Sequence, residues 1–141
     1  LGIRTAEEIK MKIGSALPLK ERLTTPMRGR DLVTGLPKEI SVDDEQIRAA
    51  IKHSVAHIIE AVKETIEETP PELVADIMAK GIILAGGGAL LRGLSALVAQ
   101  SSETMVHIAD DPLTAVVRGT GVVLEDLESL RGVLLPTAFR R

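Results

Sequence analysis

Apolar residues recur at intervals of three and four from Ile47 to Ile66. Ile47, Ile51, Val55, Ile58, Ile59, Val62 and Ile66 make one stripe along about five helical turns. Ser41-Val42-Asp43-Asp44 is a capping signature ahead of this helix, and Thr69-Pro70-Pro71 ends it. Pro71 suits the first turn of a second helix, which runs through Leu73 and Ile77 to a stop at Gly81.

The pattern differs on either side. Thr5-Ala6-Glu7-Glu8 has the form of a capping box, and Ala6, Ile9 and Ile13 then follow at helical spacing up to Gly14. From Leu17 to Val42 β-branched residues are punctuated by Gly and Pro. This predicts a β-hairpin turning at Thr34-Gly35-Leu36-Pro37, with Pro26 and Gly29 marking an edge or bulge. After Gly81, Ile82-Ile83-Leu84-Ala85 is an uninterrupted apolar run, as expected of a strand buried on both faces. Gly86-Gly87-Gly88 makes a tight turn into a helix carrying Leu90, Leu91, Leu94, Leu97 and Val98. Met105–Ala109 reads as a second strand. Asp111 or its neighbour then caps a last helix from Pro112 that carries Leu113, Val116, Val117, Val123, Leu124 and Leu127. Strand–helix–strand–helix order predicts parallel strands with right-handed crossovers, hence an α/β fold.

Composition narrows the function classes. A chain of 141 residues is one domain or two small lobes, and 45% hydrophobic content is enough for a packed core. The apolar share is aliphatic: one Phe, no Trp and no Tyr, which disfavours modules that stack bases on aromatic rings. Without Cys there are no disulfides, thiolate metal sites or Cys nucleophile. A net charge of −3 gives no reason to expect nucleic acid as a partner. No apolar run reaches the roughly 18 residues of a membrane span and no signal peptide opens the chain, so the expectation is a soluble cytoplasmic piece. Charge is uneven: residues 1–30 hold seven Lys/Arg against three acids, and residues 60–76 hold six acids against Lys63.

The strand, glycine turn and helix around Gly86 form an arrangement that aims free backbone N–H groups at an anion or nucleotide. It is neither a G-x-G-x-x-G fingerprint, since position 91 is Leu, nor a P-loop, since no Gly-Lys-Ser/Thr follows. Asp110, about twenty residues on, sits where a ribose-binding acid of a dinucleotide fold would be. A small NAD(P)-binding enzyme domain built on the Gly86–Gly88 turn therefore stands as one alternative. His53, His57 and Glu60 have spacing that could place metal ligands on one face, but Ser54 replaces the Glu of a metalloprotease helix. Solvated and core histidines are the expectation, with no metal site and no catalytic constellation. His107 stands alone in its strand.

Taken together, "TAEEIKMKIGSA", "VTGLP", "TPPELVADIMAKGIILAGGGALLRGL", "HIADDPLTAVVRGTG" and "VLLP" closely resemble, in order, the C-terminal part of the MreB family of bacterial actins. The departure is Glu103-Thr104-Met105, where that family usually has a Gly-Ile/Leu-Pro turn. The resemblance implies the second lobe of the actin-like (actin/Hsp70/sugar kinase) ATPase fold. It divides the chain into a small hairpin-containing sublobe, residues 1–48, and the C-terminal part of the large nucleotide-binding sublobe, residues 49–141.

The resemblance also implies a site and a role. Glu7, Glu8, Ile9 and Lys10, with Gly14 one turn on, contribute to an adenine and ribose pocket. Gly86, Gly87, Gly88, Ala89 and Leu90 form the second adenosine-contacting loop. The expected cofactor is ATP, with Mg²⁺ held by residues outside this chain, which alone should not hydrolyse ATP. The implied role is a filament-forming cytoskeletal subunit that directs cell shape and cell-wall synthesis at the inner face of the cell membrane. Expected partners are further copies of itself, membrane-bound cell-shape and wall-synthesis proteins, and the membrane surface through regions outside this chain.

Overall fold

The elements run α1 (Ile3–Ile13), β1 (Thr24–Arg30), β2 (Pro37–Asp43), α2 (Asp44–Glu67), α3 (Pro71–Lys80), β3 (Ile82–Leu84), a 3-10 turn (Gly87–Leu90), α4 (Leu94–Ser102), β4 (Val106–Ile108) and α5 (Ala115–Glu125), then a short 3-10 turn at Arg131–Val133. This is a computed structural model that describes residues 2–133; Leu134, Leu135 and Pro136 of the last matching motif lie outside the described residues. β1 and β2 pair antiparallel, from Thr24 opposite Asp43 to Arg30 opposite Pro37. β3 and β4 pair in parallel, Ile82 opposite Val106 and Leu84 opposite Ile108, as the alternation of elements predicts.

Two apolar clusters hold these pieces. Ile9, Ile13 and Val42 form the first, with Leu23, Met27 and Ile47 packed against them. Val55, Leu94 and Val98 form the second, joined by Ile51, Ile59, Val62, Ile82 and Val106 among others. The stripe of α2 serves both: Ile47 faces the first cluster, while Ile51, Val55, Ile59 and Val62 face the second. Ile58, predicted within the stripe, lies on its solvent edge.

Element starts differ from the expected ones for identifiable reasons. α1 begins at Ile3, because the Gly2 carbonyl already accepts the Ala6 N–H at 3.1 Å; Thr5 therefore lies inside the helix and caps nothing. Ser41 and Val42 pair with Pro26 and Thr25, so the α2 cap falls to Asp43. Its carboxylate accepts the Gln46 N–H at 2.9 Å while Gln46 Oε1 accepts the Asp43 N–H at 3.1 Å, a reciprocal capping box. The helix expected to run on from Leu90 is interrupted. Leu91 is extended, Arg92 bridges to Ser15, and Gly93 takes a left-handed conformation before α4 starts at Leu94. The last helix starts at Ala115 rather than Pro112. Asp111 closes the preceding turn by accepting the Thr114 and Ala115 N–H groups on its carbonyl, and Leu127 falls beyond the helix end.

The strand after Gly81 spans Ile82–Leu84 and is not buried on both faces: Ile83 is 69% exposed. Its sheet has two strands among the described residues, so one face packs on the second cluster while the other meets solvent. No residue of α5 is buried, and Val116, Val117, Val122 and Leu124 face outward.

Candidate functional site

Glu7 and Lys10, three residues apart, share one side of α1, and both are exposed. They line a groove of about 520 Å³ together with Ala6, Met27, Ile47 and Ile51. Glu8 is exposed as well. Ile9, named with them as a candidate contact, has its side chain in the first apolar cluster. Gly14 closes the helix: its N–H donates to the Lys10 carbonyl at 2.8 Å, and a Cβ added there would stand 2.3 Å from that same carbonyl oxygen. Close approach therefore requires glycine at this position.

The glycine turn is built differently. Gly86 sits at φ 80°, a region L side chains rarely adopt. Its N–H donates to the Pro112 carbonyl at 2.7 Å, Ala89 N–H to Gly86 at 3.1 Å and Leu91 N–H to Gly88 at 3.0 Å. Gly87 and Gly88, at the head of the turn, are exposed, and their N–H groups have no acceptor among these bonds. Ala89 is buried and Leu90 is exposed.

The stretch just after the glycine turn, at Arg92, meets the C-terminal end of α1. Arg92 Nη1 donates to the Met11 carbonyl at 3.3 Å and reaches the Gly14 carbonyl at 3.5 Å, while Ala16 N–H donates to the Arg92 carbonyl at 2.7 Å. A guanidinium on the last carbonyls of a helix satisfies groups that have no intrahelical partner. From Gly14, Lys10 lies about 6 Å and Glu7 about 10 Å back along the helix axis. The glycine turn does not line the groove that Glu7 and Lys10 share. Sequence reasoning gave Arg92 no role. Its available signal was a cation two residues past the glycine turn, but its target lies some eighty positions away.

Beside the junction, Ser15 is wholly buried, and its Oγ accepts from Arg48 Nη1 at 3.3 Å. Arg48 also pairs with Asp44 at 3.0 Å, and the other Asp44 oxygen accepts the Leu23 N–H at 3.0 Å. That backbone bond, with Arg48 behind it, holds the Asp44 carboxyl below its ordinary value of 3.8. Asp43 is held low too, chiefly by the Gln46 backbone N–H and then by Arg22 at 2.6 Å. The His53 and His57 rings lie with centroids 4.1 Å apart, tilted 58° to each other, on the exposed side of α2. Among the described residues no group of three or more His, Asp or Glu side chains is placed to hold a metal ion.

The fold around this junction is that of the actin-like ATPase class. It matches MreB5 of Spiroplasma citri bound to ADP with TM-score 0.86 and 36% identity, covering 94% of this chain and 40% of that one. The same protein bound to AMPPNP matches with TM-score 0.85 at 36% identity, covering 95% and 40%. The family model "MreB/Mbl protein" matches residues 1–132, and the chain belongs to the MreB/Mbl family. Similar relatives are the cell shape-determining protein Mbl of Bacillus cereus, 46% identical over 130 residues, and MreB of Escherichia coli K12, 41% identical over 134. They are covered over 92% and 95% of this chain respectively, and the chain spans 39% of the length of each relative. Family membership gives the NAD(P)-enzyme alternative no support.

Proposed function

We propose that this chain forms the base-and-sugar-holding part of an ATP-dependent, actin-like filament subunit that directs cell shape and wall synthesis. The observation that carries the reading is the contact of α1 with Arg92, just past the glycine turn, in a chain 36% identical to a relative solved with ADP. In this reading Glu7 accepts hydrogen bonds from ribose hydroxyls, and the Lys10 stem lies along the purine. The Gly87 and Gly88 amides approach the nucleoside closely. At Gly88 neither φ nor a neighbour demands glycine, since an added Cβ meets nothing within 4 Å. A backbone that must come close to a ligand supplies another reason for it. Ile9 and Ala89 act from behind, their buried side chains fixing helix and turn.

The two apolar clusters favour a division into a small sublobe, residues 1–48, and a larger one, residues 49–141, with α2 spanning both. We assign triphosphate, Mg²⁺ and membrane contacts to segments other than those described here, and cell-shape and wall-synthesis proteins as partners at the inner membrane face. No helix among the described residues is long and apolar enough to cross a membrane. Calorimetric titration with ATP, ADP and adenosine tests the reading. We expect similar, weak affinities of about −5 kcal/mol or less favourable, since base and sugar contacts dominate. Tight, ATP-selective binding or phosphate release by these 141 residues would overturn it, as would the absence of any adenosine binding.

A further inference from the structure

The chain crosses between the two apolar clusters just after α1 and again within α2. In the first crossing Ile13 belongs to the first cluster and Ala16 packs against the second. In the other, one turn of α2 separates Ile47, on the first cluster, from Ile51, on the second. The polar side chains at these two crossings meet. Ser15, wholly buried, accepts from Arg48 Nη1 at 3.3 Å, and the same nitrogen donates to Asp44 Oδ2 at 3.0 Å. The other Asp44 oxygen accepts the Leu23 N–H, so the pair on α2 pins the connection between α1 and β1 near both its ends. Burial of this kind is costly. The Arg48 side chain is 22% exposed and that of Asp44 6%, and an ion pair taken out of water returns little net stability compared with apolar side chains of similar size. Direction is what it supplies. Apolar contacts tolerate sliding, whereas one guanidinium nitrogen reaches Asp44 on its own helix and Ser15 on the connection at a single setting of the two crossings.

We infer that the Arg48–Ser15 contact locks the angle between the two clusters, which makes Arg48 a positioning residue for the nucleoside site. Ile9 and Ile13 fix α1 to the first cluster, whereas the glycine turn leads through Leu91 and Leu94 into the second. Glu7 and Lys10 therefore stand on one side of the seam and the glycine turn on the other. The positioning role rests on the nucleoside reading; the lock itself does not. With the lock open, α1 follows the first cluster and the arrangement that holds a nucleoside is only partly populated. Apparent affinity then falls by that fraction.

Ser15→Ala cuts the lock and leaves the Arg48–Asp44 pair and the net charge as they are; Arg48→Met removes the donor and keeps an apolar stem. The chain has no cysteine, so nitroxide labels on Val33→Cys in the hairpin loop and Gln100→Cys on α4 report the distance between the two bodies. Double electron–electron resonance should give one narrow distance distribution in the labelled parent and a broader or displaced one in both lock variants. Adenosine affinity should fall roughly three- to tenfold in Ser15→Ala, with a smaller change in the urea midpoint. Saturating adenosine should narrow the Ser15→Ala distribution again, because ligand and lock favour the same arrangement. Unchanged distributions in both variants would overturn the lock. Broadening without loss of adenosine affinity, or broadening that adenosine leaves unaltered, would overturn the positioning role. A parent that binds no adenosine removes the nucleoside reading, and the lock is then decided by the distances alone.

Discussion

The two apolar clusters are secured by different chemistry. Around the first, carboxylates do much of the positioning. Asp43 caps α2, Asp44 ties Leu23 to the start of that helix while holding Arg48, and Asp31 shapes the hairpin loop. Around the second, Val55, Leu94 and Val98 pack without an ionised group among them, joined by aliphatic residues such as Ile51, Ile59, Ile82 and Val106. The first region should therefore respond to pH and the second to side-chain volume.

Volume loss gives the largest expected effect. Leu94→Ala removes a buried side chain at the centre of the second cluster and should cost about 2–5 kcal/mol. Urea unfolding would show the midpoint falling with little change in slope. An unchanged midpoint would mean that this cluster does not limit stability.

Next comes Asp44, whose residue is 4% exposed. Asp44→Ala leaves the Leu23 N–H and Arg48 without their acceptor, and should lower stability at pH 7 by less than Leu94→Ala. The pH dependence has a defined sign. The carboxyls of Asp31, Asp43 and Asp44 all sit below their ordinary 3.8 in the folded chain, so their stabilisation is complete above that value. It is lost as pH falls from there through the folded-state values. Thermal melts from pH 7 to pH 2 should stay level to about pH 4–5 and then drop. Asp44→Ala should flatten that drop, whereas Leu94→Ala should shift the whole curve and leave its shape.

These contrasts also separate what could be read from the chain from what could not. The α2 stripe, the Pro71 start, the Gly81 stop and the hairpin were legible because each depends on neighbours a few residues away. The starts of α4 and α5 were not, because Arg92 pairs with Ser15 and Pro112 accepts from Gly86 across the fold. The exposure of Ile83 was hidden for a related reason: an apolar run reports the tendency to be buried, not what lies opposite it. Among the candidate site residues, the Glu7–Lys10 spacing and the glycine turn were visible as local chemistry. Ile9 was swept in by adjacency, although helical geometry turns it toward the first cluster.

Smaller effects sharpen the comparison at the glycine turn. Gly86→Ala puts a Cβ at φ 80° and ψ 171°, a region essentially confined to glycine, and should cost about 1–3 kcal/mol, although nothing lies within 4 Å to clash. The loss should appear as local opening, with faster hydrogen exchange at Gly86 to Leu91, before it appears in the global midpoint. Uniform loss of protection across both clusters would instead mean that the turn is part of the global folding unit.

The smallest stability effect, with the sharpest consequence for the site, belongs to Arg92. Its guanidinium touches two carbonyls at the end of α1 from an exposed position, so Arg92→Ala should cost only about 0.5–1 kcal/mol. The proposed nucleoside pocket, however, needs α1 and the glycine turn held in one arrangement, and Arg92 supplies the side-chain link between them. Its backbone bond with Ala16 remains in the variant, so the segments stay adjacent but less firmly oriented. Adenosine affinity should then fall by more than stability does, and Arg92→Lys, which keeps a donor but loses the planar fork, should recover part of it. Exchange at Met11 to Ser15 should quicken alongside, while the amides of the hairpin keep their protection. If affinity and stability fell in strict proportion, Arg92 would be an ordinary surface contact, and the coupling of the two segments would have to come from the packing of Leu91 against Gly14.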